Sequence, residues 1–74
     1  MTLYSYPITI EKENGQYYAY SDDFPGVYGL GKTMEAAKSS ILEAMRVYIE
    51  HARKTRKPIP ATRTVYAETV TLAL

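Results

Sequence analysis

The dipeptide Asn14-Gly15 constrains this chain more than any other feature. A two-residue hairpin turn of the type I′ class needs positive φ at both central positions, which asparagine tolerates and glycine adopts freely. The pair sits between two strand-like runs. In Leu3–Lys12, Tyr6, Ile8 and Ile10 alternate with Pro7, Thr9 and Glu11, and a second run covers Gln16–Ser21. A tight turn leaves one register: Glu13 opposite Gln16, Lys12 opposite Tyr17, Glu11 opposite Tyr18, Ile10 opposite Ala19 and Thr9 opposite Tyr20. Opposed residues share a face of the sheet. Ile8, Ile10, Tyr17 and Ala19 therefore lie on one face, and Thr9, Glu11, Tyr18 and Tyr20 on the other. Pro7 has no N–H to give to a ladder, so it calls for a bulge or an unpaired position near the start of the first strand.

Asp22-Asp23-Phe24-Pro25-Gly26 reads as a turn, and Val27–Gly31 as a short third strand. Gly29 and Gly31 there point to close backbone approach or a bulge. Thr33 is a good N-cap. Beyond it Met34, Ala37, Ile41, Met45, Tyr48 and Ala52 recur at helical spacing, with Lys38, Ser39, Glu43, Arg46 and Glu50 on the polar side. The helix ends before Lys57-Pro58, because a residue preceding proline avoids the helical region. Thr62–Leu74 is rich in Thr, Val and Tyr and reads as a last strand. Its pattern changes phase: Val65, Ala67 and Thr69 share one face, and Val70, Leu72 and Leu74 the other. Either a bulge near Thr69 restores one face, or both are buried, the second half by another chain.

The order is β-β-β-α-β, an α+β chain. A strand, a helix and a strand parallel to the first make a right-handed crossover. The expectation is a mixed four-stranded sheet, three strands in a meander with the last beside the first, and one helix on one face. At 74 residues the chain has room for one small core, so residues 1–74 are expected to form a single domain, marginal alone and favouring oligomers. No apolar run approaches a membrane span, and no signal peptide is visible, so a cytoplasmic location is expected. With no cysteine and a single histidine, His51, the usual zinc sites and disulfide frameworks lack their parts. No metal or cofactor is expected.

Several segments together resemble a known family. Tyr6-Pro7-x-x-Ile10, Tyr17-x-Ala19, Asp23-Phe24-Pro25-Gly26 and Gly31-x-Thr33-x-Glu35-x-Ala37 look like the HicB-type antitoxins of toxin–antitoxin pairs. The likeness covers roughly residues 4–60 and rests mainly on the last two motifs standing close together. It departs from the usual pattern at Asp22, Lys32 and Ala36, the last leaving a capping box incomplete. The resemblance implies a partial ribonuclease-H-like fold. It also implies binding and occlusion of a HicA-like ribonuclease toxin that cleaves mRNA, and a homo-dimer or homo-tetramer. The resemblance is to the short form of the family, without a C-terminal DNA-binding domain, which makes direct DNA binding by this chain doubtful.

Four groups of side chains invite a role. A single helix covers one face of the sheet, which leaves Thr9, Glu11, Tyr18 and Tyr20 on the other, as surface aromatics or as a partner-binding patch. Val70 and Leu72 join them as candidate partner contacts from the last strand. Glu11, Glu13, Asp22 and Asp23 are acidic, either solvated turn residues or a means of steering onto a basic partner. Arg53, Lys54, Arg56 and Lys57 lie where a long helix should overhang the sheet. They complement the helix dipole, or they contact nucleic acid. Charge is divided to match: three basic against six acidic residues in the first 45 positions, six against two afterwards. Glu11, Glu43 and Glu68 are placed like ribonuclease-H carboxylates in sequence but should not converge, so no enzyme activity is expected.

The leading expectation is a HicB-like antitoxin. The alternatives are a nucleic-acid-binding module using the basic end of the helix, and a self-assembling small protein with no toxin partner.

Overall fold

A computed structural model describes residues 2–74. It contains β1 (Thr9–Glu13), β2 (Gln16–Tyr20), β3 (Tyr28–Gly31) and α1 (Met34–Thr55). The strands form an antiparallel sheet in the order β1-β2-β3. The architecture is α+β, with the helix on one face. No helix among the described residues is long and apolar enough to cross a membrane.

The hairpin forms as its turn dictates. Asn14 and Gly15 have φ of 53° and 75°, and the register pairs Glu13 with Gln16, Glu11 with Tyr18 and Thr9 with Tyr20. At the other end of β2, Val27 N–H donates to the Phe24 carbonyl at 3.1 Å. Pro25 sits second in that turn and Gly26, at φ 84°, sits third, the type II arrangement. The turn also places Phe24 in the core, where it meets Tyr6 and Tyr48 edge to face at 4.7 and 5.4 Å between ring centroids.

The core lies between α1 and the inner face of the sheet: Ala19, Phe24, Ala37, Ile41 and Met45 are buried, with Tyr6, Ile8, Ile10, Tyr17, Val27 and Ile49 packed against them. α1 presses hardest on β3. A Cβ on Gly29 would fall on the backbone of Ala37 and Ile41, and one on Gly31 on Ala36. The two glycines therefore set how near the helix can come. Thr33 caps α1 by accepting the Ala36 N–H at its Oγ1, 3.0 Å away. The far end closes on Arg56 in the left-handed region at φ 55°, with the Lys57 N–H bonded to the Ala52 carbonyl at 2.9 Å. Over 22 residues the helix runs about 33 Å, against about 17 Å for a five-residue strand, so it is about twice as long as the strands it packs on.

Two strand expectations change. β1 begins at Thr9 rather than Leu3, because Pro7 cannot continue the ladder. The expected fourth strand over Thr62–Leu74 does not form, so the sheet has three strands, not four. Among the described residues, the returning chain is hydrogen-bonded to the body only at its start. Thr62 Oγ1 accepts the Ser5 N–H and donates to the Ser5 carbonyl, the Arg63 N–H donates to the same carbonyl at 2.9 Å, and the Tyr6 hydroxyl donates to the Pro60 carbonyl at 2.6 Å. In a parallel pair the next rung would run from the N–H of residue 7 to the Arg63 carbonyl. Pro7 has no such group. Beyond Arg63 the tail has no regular secondary structure and is exposed throughout, and the radius of gyration is 14.2 Å where a compact chain of this length has about 11 Å.

Candidate functional site

Among the described residues, no helix or further strand covers the outer face of the sheet. β2 supplies Tyr18 and Tyr20 because residues two apart along a strand share a face. β1 supplies Thr9 and Glu11 opposite them. The two phenol rings stack, with centroids 6.0 Å apart and planes 23° off parallel, so each shields part of the other and both are half-buried rather than fully exposed. The Tyr20 hydroxyl donates to a Glu11 carboxylate oxygen at 2.8 Å. That bond is the first cause holding Tyr20 above the ordinary phenol range, followed by desolvation and the Glu11 charge. Tyr18 is also raised, first by desolvation and then by the charges of Glu11 and Glu13. The face thus presents neutral, hydroxyl-bearing rings beside carboxylates, suited to a partner offering cationic and aromatic or aliphatic groups.

The structure adds two residues to this face that the sequence reading did not place. Tyr28 stands opposite Tyr20, and Leu30 opposite Tyr18; they are 63% and 60% exposed. Together the three strands make two rows across the sheet, Thr9-Tyr20-Tyr28 and Glu11-Tyr18-Leu30. Their signal was the alternation around Gly29: a glycine forced inward by the helix turns both neighbours outward.

The other candidates do not join this surface. Val70 and Leu72 are 74% and 77% exposed, on a stretch of the tail with no regular secondary structure. Arg53, Lys54, Arg56 and Lys57 are exposed at the last turn and cap of α1, across the sheet from the tyrosines, where they meet the negative end of the helix dipole. The acidic group is split: Glu11 and Glu13 lie by the hairpin, whereas Asp23, at the other end of β2, is held by Arg63, whose Nε lies 3.0 Å from both carboxylate oxygens. Asp23 is thus an anchor for the returning chain, and the Ser21 hydroxyl, not the Asp23 carboxylate, takes a turn N–H. Glu43 is paired with Arg46 on the helix, Glu11 is bonded to Tyr20 on the far face, and Glu68 is on the tail, so these three carboxylates do not converge.

Residues 6–71 match the family described as HicB-like antitoxins of bacterial toxin–antitoxin systems. The chain belongs to that family. It is 36% identical over 59 residues to the UPF0150 protein ssr1765 of Synechocystis sp., covering 78% of this chain and 75% of that one. It is 38% identical over 56 residues to the UPF0150 protein Ta0767 of Thermoplasma acidophilum, covering 74% and 81%. No solved structure matches it. The HicB-like match takes in β1, the tyrosine face, the whole of α1 and most of the tail, ending at Thr71.

Proposed function

We propose that this HicB-like chain is a non-enzymatic antitoxin that binds a HicA-like mRNA-cleaving toxin through the outer face of its sheet and occludes the toxin's RNA-binding surface. One observation carries the reading: a row of stacked tyrosines, anchored by Glu11 and uncovered by any element of the fold. Tyrosine supplies large contact area at low entropic cost, and adjacent carboxylates suit the basic surface an RNA-cleaving protein needs. The contact set is Thr9, Glu11, Tyr18 and Tyr20, extended by Tyr28 and Leu30. Occlusion asks only shape and charge of this chain, and it would take place in the cytoplasm, where the mRNA is. A partial ribonuclease-H-like fold forming a single domain over residues 1–74, as the resemblance implies, belongs to the same proposal.

The test is co-expression with the small reading frame adjacent to this gene. The expected result is growth arrest by that product alone, rescue by this chain, and a co-purifying complex. Replacing Tyr18 and Tyr20 together by Ala should weaken the complex at least about 30-fold, the size of an interface hot spot. A neighbour that is harmless and unbound refutes the antitoxin role. A complex that is indifferent to both tyrosines refutes the assigned face.

A further inference from the structure

α1 has a flank that the sheet does not use. Ser39, Leu42, Arg46, Ile49 and Arg53 recur at alternating steps of three and four, so they form one line along the helix. Across from this line runs the segment that precedes β1. Leu3, Tyr4 and Tyr6 on that segment, with Leu42, Met45 and Ile49 on α1, line an apolar groove of about 670 Å³. Leu42 is 52% exposed there. From Ser39 to Arg53 the line is about 21 Å long.

The wall facing α1 is fixed by the fold itself. The Ser5 N–H and carbonyl are both bonded to the Thr62 hydroxyl. The Tyr6 hydroxyl donates to the Pro60 carbonyl, and the Tyr6 ring meets Phe24 edge to face. A wall held in this way does not have to be ordered by what binds against it, which lowers the cost of binding.

Charge on the rim is uneven. Midway along, Arg46 is paired with both Glu43 and Glu50, so the middle of the rim offers an anion no free cation. At the end of the groove Arg53 has no acidic partner among the described residues, and Lys54, Arg56 and Lys57 follow it. The groove therefore suits an apolar body with one anionic head at the Arg53 end. A helix of another protein is too thick to fill it. At about 10 Å across, such a helix would occupy about 1,600 Å³ over the same length, more than twice the space. A hydrocarbon chain is thin enough, and the volume lies within the range of about 300–1,000 Å³ usual for small-ligand sites.

We propose that this groove binds a single-chain aliphatic carboxylate. The chain lies along Leu42, Met45 and Ile49, and the carboxylate accepts hydrogen bonds from the Arg53 guanidinium. The tyrosine face lies across the sheet, so this site stands or falls apart from the toxin reading.

Isothermal titration of the full chain with dodecanoate, kept below micelle-forming concentrations, is expected to show saturable binding of one molecule per chain. Decanoate should bind about fourfold more weakly, because each methylene is worth about fourfold when fully buried and an open groove covers roughly half of each of the two removed. Dodecanol and dodecyltrimethylammonium should bind at least about tenfold more weakly than dodecanoate, the size of a charge-assisted hydrogen bond. Arg53→Gln should erase the preference for carboxylate over alcohol, Arg53→Lys should keep most of it, and Leu42→Asp should abolish binding of both. Both positions are exposed on α1, so circular dichroism spectra should be unchanged. No saturable binding, equal binding of the carboxylate and the ammonium, or an Arg53→Gln chain that keeps the carboxylate preference would each overturn the site. Co-sedimentation of the chain with phosphatidylglycerol vesicles would reassign the flank to a membrane surface and overturn it as well.

Discussion

The two faces of this sheet are built from one strand and have opposite fates. Along β2, Ala19 is completely buried under α1 while Tyr18 and Tyr20, its immediate neighbours, look away from the helix. The inner face is made by subtraction: Ala19, Gly29 and Gly31 are small, as is Ala37 on the α1 side, and their smallness lets two backbones meet. The outer face is made by addition, with large rings that stack on one another for want of a covering layer. The inner face should therefore be sensitive to volume in the folded chain, and the outer face to chemistry in the complex.

The largest expected effect comes from Gly29→Val. Its side chain would meet helix backbone rather than a flexible side-chain end, so α1 must move as a body. Overpacking of this kind costs about 3 kcal/mol or more, a large part of the stability of so small a domain. A urea titration followed by circular dichroism should show a chain largely unfolded without denaturant. Ile41→Ala removes the largest aliphatic side chain that is fully buried and should cost about 2–5 kcal/mol in the same titration. The double replacement of Tyr18 and Tyr20 by Ala should by contrast cost only about 1 kcal/mol, the scale of cross-strand pairs, even as it weakens partner binding. A loss comparable to that of Ile41→Ala would mean that the outer rings belong to the core and would dissolve the contrast between the faces.

The smallest effect is on alkaline stability. Tyr18 and Tyr20 both have phenols raised above their ordinary value in the folded chain. A raised folded value means the neutral form is favoured by folding, so the contribution is intact below the unfolded value, about pH 10, and is lost as pH rises through the folded values. Thermal midpoints measured from pH 9 to 11.5 should fall, and Tyr20→Phe should flatten part of that fall, because no second anion then forms beside Glu11. An equal fall in the variant would place the sensitivity elsewhere, with Tyr6, also raised by desolvation, as the next phenol to replace.

Much of this molecule was legible in one dimension. Asn14-Gly15 determined the hairpin, the register and the division of residues between faces. The 3.6-residue pattern after Thr33 determined the helix and its buried stripe, and the left-handed cap at Arg56 came just before the Lys57-Pro58 stop. Such features are local: turn dihedrals, capping and periodicity depend on neighbours in sequence. What the tertiary structure alone decided was non-local. Phe24 reads as part of a polar turn, yet it is core, because the turn aims it between Tyr6 and Tyr48. Asp23 reads as acidic surface, yet it holds Arg63, forty residues away. Tyr28 and Leu30 joined the open face only when the helix forced Gly29 inward. Thr62–Leu74 has the composition of a strand, but a strand exists only where another offers a matching row of N–H and C=O groups, and Pro7 withdraws that row where the tail would begin to pair.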